Sequence, residues 1–171
     1  MGTQAYGFTL AALRATRHAR LMIYLEDMQA GDRATLGPVE VTREEALDFA
    51  RKYDPQPFHL DDAAAAAHPF FGRLAISGWQ TCAYAMRMIV DEMARRGVQS
   101  LGSPGMDNIR WLKPVYPGDR LTLAVETLEV RPSRSRPEMG AAKRRFVCLN
   151  QHDEPVMTME GTGLFATRPG A

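Results

Sequence analysis

Several classes of protein are excluded by what this chain of 171 residues lacks. It has no excess of one charge, because 21 Lys and Arg residues face 20 Asp and Glu residues and leave a net charge of +1. That balance argues against a nucleic-acid binder dominated by a basic surface. No apolar run approaches the roughly 20 residues that would span a bilayer. We therefore expect neither nucleic acid nor a membrane among its partners.

Cysteine is scarce, and the sequence motifs of metal and phosphate sites are missing. The two cysteines, Cys82 and Cys148, form no CxxC pair and are typical of buried thiols in a reducing compartment, so we expect a cytoplasmic protein. There is no HxH or HExxH pair for a metal, no glycine-rich phosphate loop, and no GxSxG around a serine nucleophile. The sequence predicts no metal and no other cofactor.

The first 21 residues differ in composition from the rest of the chain. They hold four basic residues and no acid: Arg14, Arg17, His18 and Arg20. This composition is typical of a transit peptide, which leaves organellar import open. An upstream extension or a misplaced start explains it equally well, and we favour that interpretation. We predict one domain over residues 22–167, with residues 1–21 outside the fold and residues 168–171 as a tail.

Helix signals dominate the first half of this domain. Thr42 and Glu45 fit a capping box, and Pro55 disfavours helical geometry at Asp54, which predicts a helix ending near Tyr53. Asp61 or Asp62 can cap a short helix over residues 63–67. A long helix is predicted between Ser77 and Gly97. Its predicted core stripe is Trp79, Cys82, Ala83, Met86, Ile89, Val90 and Met93, widened by Ala85 and Met88, and its predicted polar face is Gln80, Arg87, Asp91 and Glu92.

Strand signals dominate the second half. Alternating apolar residues predict strands over residues 106–115, 120–130, 144–150 and 155–165, in addition to a short strand over residues 22–27. The turn over residues 151–154 predicts that the last two strands form a hairpin. Segregated helices and strands indicate the α+β class, with the long helix packed on one face of an antiparallel sheet.

One short segment, YDPQPFHLDD over residues 53–62, places an acid and a histidine close together in a constrained backbone. Asp54 lies five positions before His59, and a fully extended chain would place them about 17 Å apart, too far for two side chains to share a water molecule. Pro55 and Pro57 restrict the residues before them and favour a turn. Two interpretations follow. Either Asp54 and His59 form a catalytic pair, or Asp54 only stabilises a turn and His59 only packs at the edge of the core. Spacing alone slightly favours the second interpretation.

The motifs around this segment resemble those of a known family. Residues 54–59, DPQPFH, resemble the D-x-N-P-x-H signature of MaoC-like dehydratases, the (R)-specific enoyl-CoA hydratase family. The resemblance continues through FGRLAISGW at 71–79, IRWLKPV at 109–115 and PGD at 117–119. It covers residues 22–167. Gln56 departs from the strict signature, which has Asn at that position.

This resemblance implies a single hot dog domain, an antiparallel β-sheet wrapped around one long central helix, in a homodimer or larger homo-oligomer. It implies reversible hydration of a trans-2-enoyl thioester, carried by CoA or an acyl-carrier protein, to a 3-hydroxyacyl thioester. His59 and Asp54 would be the catalytic residues that activate water and return a proton to C2 of the substrate. Gln56 would support this pair.

The resemblance also implies a site for the thioester carbonyl at the start of the long helix. The backbone N–H of Gly78 would be the donor, supported by Ser77, because helix N-termini present free N–H groups. An ordinary helix cap is compatible with this role. A basic stretch near the third predicted strand could bind the phosphates of CoA. Its members are Arg131, Arg134, Arg136, Lys143, Arg144 and Arg145, and none of them is individually assigned to CoA binding. The alternatives are a partner-dependent or non-catalytic subunit of a heteromeric dehydratase, and an acyl-CoA thioesterase.

Overall fold

The computed structural model describes residues 22–170, so the expectation for residues 1–21 concerns a segment outside the described residues. After a 3-10 turn, Leu25–Asp27, the chain forms five strands and four helices in the order β1, α1 to α4, then β2 to β5. Their bounds are β1 Arg33–Glu40, α1 Arg43–Tyr53, α2 Pro57–Leu60, α3 Asp62–Ala67, α4 Gly78–Arg96, β2 Ser100–Trp111, β3 Arg120–Pro132, β4 Met139–Leu149 and β5 Pro155–Ala166.

The five strands form one antiparallel sheet in the order β1-β3-β4-β5-β2. Strands β4 and β5 pair along their length, which confirms the predicted hairpin. Helix α4 packs its buried side chains into the same core cluster as the inward residues of β3, β4 and β5, such as Leu123, Phe146 and Met157. The predicted α+β class, one sheet around one long helix, is confirmed.

The predicted helix ends are confirmed because each has a specific cap. The Thr42 side chain accepts a hydrogen bond from the backbone N–H of Glu45, and α1 ends at Tyr53. Asp61 caps α3 through the N–H of Ala64. Ser77 caps α4, and Gly97 ends it in the left-handed conformation that glycine adopts readily.

The predicted core stripe of α4 is correct in part, because Ala85, Met88 and Ile89 are buried and Cys82 and Met93 pack against the core. The other buried residues of the helix are Gln80, Thr81 and Tyr84, so Gln80 is buried although it was predicted on the polar face. Three large members of the predicted stripe are exposed instead: Trp79 at 59%, Met86 at 44% and Val90 at 50%. The helix is apolar on two faces, and periodicity alone does not tell which face meets the sheet of the same chain.

The sheet differs from prediction at its edges. The predicted strand over residues 22–27 is replaced by an isolated bridge from Ile23 to Val98 and a 3-10 turn, Leu25–Asp27, where the Asp27 carboxylate accepts the backbone N–H of Tyr24. Strand β1 was missed because Gly37 and Pro38 interrupt its pattern; both are tolerated because β1 is an edge strand. For the same reason β2 begins six residues before the predicted start and contains Pro104.

Strand β4 also begins earlier than predicted. It starts at Met139 rather than Arg144, through a run of small residues with weak strand preference. Gly140 fits there because a Cβ atom would meet the side chain of Leu25 and the backbone of Arg131. Within residues 22–170, no helix is long and apolar enough to cross a membrane.

Candidate active site

The segment between α1 and α2 folds back on itself. Asp54 ends α1, and its N–H still donates to the carbonyl of Ala50. Gln56 is extended, as expected for a residue before proline, and Pro57 occupies the first position of α2. The backbone N–H of Gln56 donates to the Asp54 carbonyl at 2.8 Å, and its own carbonyl accepts from the N–H of His59 at 2.9 Å. This tight turn brings the predicted acid and histidine together.

The imidazole of His59 is buried and held at one nitrogen. Its Nδ1 atom lies 2.7 Å from the carbonyl oxygen of Ala75. Because a carbonyl oxygen only accepts, Nδ1 carries a proton, and Nε2 is the free acceptor of the neutral ring. That Nε2 atom lies 3.4 Å from Oδ2 of Asp54. The ring is therefore oriented with its basic nitrogen towards the carboxylate.

Two acceptors face each other in this pair. An unprotonated imidazole nitrogen and an ionised carboxylate oxygen do not bond each other, but one water molecule can donate a hydrogen bond to both. The Asp54 side chain is only 16% exposed, so such a water would be largely shielded from solvent. The arrangement suits the deprotonation of a single water molecule by a histidine and an acid.

Aromatic rings pack against the imidazole. The Phe58 ring meets the His59 ring edge-on at 4.6 Å between centroids, and Phe71 lies at 5.9 Å. His68 follows the last residue of α3 and stacks on Phe71 at 4.5 Å. These aromatic contacts restrict the rotation of the His59 ring. The spacing of residues in the sequence did not predict them.

The start of α4 leaves one backbone donor available. The Ser77 side chain accepts from the N–H of Trp79, and the Ser77 carbonyl accepts from the next two N–H groups. Within residues 22–170, the N–H of Gly78 has no hydrogen-bond acceptor. It lies three residues after Ala75, whose carbonyl holds His59. The structure thus places Ser77 and Gly78 at a helix N-terminus, as predicted. They follow closely after Ala75, the residue that binds His59.

Trp111, at the end of β2, is a residue of this site that sequence reasoning missed. Its indole N–H donates to the carbonyl of Gly78 at 2.8 Å, and its ring meets Trp79 edge-on at 5.2 Å. A Cβ atom on Gly78 would lie 2.7 Å from the Trp111 ring. Glycine is required here because the indole occupies the space.

Comparison with known proteins identifies the family of the chain. Residues 28–145 match the family model described as the MaoC like domain. The uncharacterized protein YdeM of Bacillus subtilis (strain 168) is 31% identical over 135 residues, which cover 75% of this chain and 93% of that protein. The chain belongs to the MaoC-like domain family.

Two solved structures are similar to this MaoC-like chain. The MaoC-like dehydratase from Rhodospirillum rubrum is 35% identical, with a TM-score of 0.77 over 86% of this chain and 99% of that one. The R-hydratase PhaJ1 from Pseudomonas aeruginosa is 23% identical, with a TM-score of 0.66 over 86% of this chain and 87% of that one, and supports the fold alone. The predicted hot dog fold and family are confirmed.

A polar chain beside the helix start was also missed in the sequence. The Tyr84 hydroxyl donates to the Glu45 carboxylate at 2.9 Å and accepts from the side-chain amide of Gln80 at 3.2 Å. Burial, together with the Glu45 carboxylate, raises the pKa of Tyr84 well above its ordinary value, so the hydroxyl remains a donor. These contacts join α1 to α4, the helices at either side of the site.

Four of the six members of the basic stretch pair with carboxylates, among them Arg131, which lies 3.9 Å from Glu129. Arg145 lies 3.5 Å from both Glu126 and Glu160, and Lys143 lies 2.9 Å from Glu160. Arg136 pairs with Glu138, and the Arg144 guanidinium lies over the ring of Phe165. Glu126 and Glu160 come from neighbouring strands, so the sequence alone does not show these pairings. Among residues 22–170, no cluster of His, Cys, Asp or Glu is arranged to hold a metal ion.

The contact between Gly78 and Trp111 gives a direct test of this geometry. We expect Gly78→Ala to destabilise the protein by about 1–3 kcal/mol, because the new methyl group overlaps the indole. The tryptophan emission should shift as the ring moves. Denaturant unfolding followed by fluorescence measures both effects.

Gly105→Ala in β2 is the matched control, because a Cβ atom there meets no atom within 4 Å. It should change the free energy of unfolding by less than about 1 kcal/mol. Equal effects of the two substitutions would contradict the proposed packing of Trp111 on Gly78.

Proposed function

We propose that this chain is a hydro-lyase that reversibly adds water to a trans-2-enoyl thioester and gives a 3-hydroxyacyl thioester. The observation that carries the proposal is the 3.4 Å approach of Asp54 Oδ2 to His59 Nε2, with the opposite ring nitrogen fixed on Ala75. Membership of the MaoC-like family and the name of one similar protein, a MaoC-like dehydratase, support the same chemistry.

The reaction follows from the geometry of the pair. A water molecule between Asp54 and His59 loses a proton to the pair, and its oxygen forms a bond to C3 of the enoyl group. The π electrons move towards the thioester oxygen, and the pair returns one proton to C2. The product therefore gains one water molecule, and the protein is unchanged. General acid–base catalysis of this kind contributes about 10²–10⁴-fold.

Negative charge on the thioester oxygen needs a donor during this step. The free N–H of Gly78 at the positive end of α4 is suited to it, and Ser77 holds the helix start in place. A preorganised donor contributes roughly 10²–10³ in rate. The substrate class we propose is an acyl thioester of CoA or of an acyl-carrier protein.

Substitution of the pair tests the proposal. We expect Asp54→Asn and His59→Ala each to reduce the hydration of crotonyl-CoA by about 10²–10⁴-fold, because each removes a proton-handling group from the water. Loss of enoyl-thioester absorbance measures the rate. Asp153→Asn and His152→Ala, on the exposed turn before β5, are matched controls that should retain full activity. Activity within about tenfold of the parent in both site variants would contradict the assignment.

The same assay separates two alternatives that the fold also permits. Free-thiol release without hydration would identify an acyl-CoA thioesterase, in which water attacks the carbonyl carbon. Hydration that needs a second polypeptide would identify a subunit of a heteromeric dehydratase. The paired Asp54 and His59 favour a catalytic chain over a purely structural subunit.

We further propose that two copies of the chain form a homodimer through α4 and β2. Three large apolar residues, Trp79, Met86 and Val90, follow each other at helical spacing on the exposed face of α4. Strand β2 lies at the sheet edge and adds exposed Leu101 and Trp111. A second copy would cover this surface and continue the sheet edge to edge.

A charge on this face tests the dimer. We expect Met86→Glu to shift the protein from dimer to monomer, because a buried carboxylate without a partner is costly. Light scattering after size-exclusion chromatography measures the mass. Ala66→Glu on the exposed face of α3 is the control and should leave the dimer intact. A parent protein that is monomeric, or an unaffected Met86→Glu dimer, would contradict this interface.

A further inference from the structure

Gln56 is the position at which this chain departs from the Asn of the family signature, and its side chain has a specific contact. Its Nε2 atom donates a hydrogen bond to Oδ1 of Asp54 at 2.8 Å. The backbone of the same residue bonds both Asp54 and His59. Gln56 is therefore joined to both members of the proposed catalytic pair.

The position of Gln56 would suit a different role. It is the N-cap of α2, but its side chain makes no hydrogen bond to the helix. Asn at an N-cap normally accepts from a backbone N–H of the first turn, and Gln is one methylene longer and caps poorly. The extra methylene lets the amide reach back to Asp54 instead of forward into the helix.

This contact divides the two oxygens of the Asp54 carboxylate. Oδ1 is bonded to the Gln56 amide, and Oδ2 faces Nε2 of His59 at 3.4 Å. Without the amide, the carboxylate is free to rotate about its Cβ–Cγ bond. A rotated carboxylate would no longer aim a lone pair at a water molecule shared with His59.

We propose that Gln56 is a positioning residue, which fixes the Asp54 carboxylate so that Oδ2 faces His59. In this chain the longer glutamine side chain does not cap α2 but holds the carboxylate of Asp54, the proposed catalytic acid. The kinetic part of this inference rests on the proposed hydratase function. The hydrogen bond itself is independent of the reaction.

Two variants test the role in catalysis. Gln56→Met keeps the length but removes the donor, and Gln56→Asn keeps the amide but shortens its reach. We expect kcat to fall about tenfold in both, as for loss of a hydrogen bond to a charged group, with KM changed less than twofold. Gln29→Met, at an exposed glutamine far along the chain from the pair, is the control and should not change kcat. A fall of less than threefold in both Gln56 variants would overturn the proposal.

Thermal unfolding distinguishes positioning from a purely structural role. Because Asn is a favoured N-cap, Gln56→Asn should unfold at the same temperature as the parent or higher, although its kcat is lower. A structural role predicts that stability and activity fall together. A lower unfolding temperature in step with the lost activity would overturn the proposal.

A measurement without substrate separates this inference from the proposed function. In ¹⁵N-labelled protein, the side-chain NH₂ group of Gln56 should have one proton shifted downfield by the carboxylate. Asp54→Ala should return it to the position of a free amide. An unchanged resonance would overturn the inference even if the chain hydrates enoyl thioesters. If the Gln56 resonance moves in Asp54→Ala as expected but the parent chain does not hydrate enoyl thioesters, the proposed function is rejected and the hydrogen bond is established.

Discussion

The hydrogen bond between Nδ1 of His59 and the carbonyl of Ala75 is the contact on which the site depends. It joins a short helix to the segment that enters α4, and it selects the tautomer with a free Nε2 atom. Without it, the imidazole could rotate, and its basic nitrogen would not face Asp54. Three residues after Ala75, the same segment reaches the free N–H of Gly78. The hydrogen bond to Ala75 therefore fixes the position of the His59 imidazole relative to the start of α4.

The fold supplies this anchor with rigid support on both sides. Ile76 bonds the carbonyl of Val115 beside the sheet, and the indole of Trp111 holds the Gly78 carbonyl. On the other side, Tyr84 links α4 to α1 through Glu45. The site is therefore assembled from loop and helix-end residues, but each of them is bonded to a long element of the core. This is the arrangement that fixed catalytic geometry needs.

Local signals in the sequence predicted the helix ends and the hairpin, because caps, prolines and turns act over a few residues. The role of Asp54 and His59 was implied by the resemblance to a family signature, since their spacing alone slightly favoured an ordinary turn. Tertiary contacts decided the remainder. Gln80 was assigned to the wrong face because α4 has two apolar faces, one of which is exposed in the single chain. The role of Trp111 at Gly78 joins residues 33 apart, and the acids that neutralise Arg145 come from neighbouring strands. No short-range pattern encodes such contacts.

The central claim is that Asp54 and His59 act together on one water molecule from one side of the substrate. The most direct measurement is the configuration of the product formed from crotonyl-CoA in D₂O, read from the NMR coupling between the C2 and C3 protons. Because one compact pair supplies both the hydroxyl group and the proton, the account predicts syn addition, with one deuterium at C2. Anti addition, or deuterium distributed over both faces of C2, would contradict it.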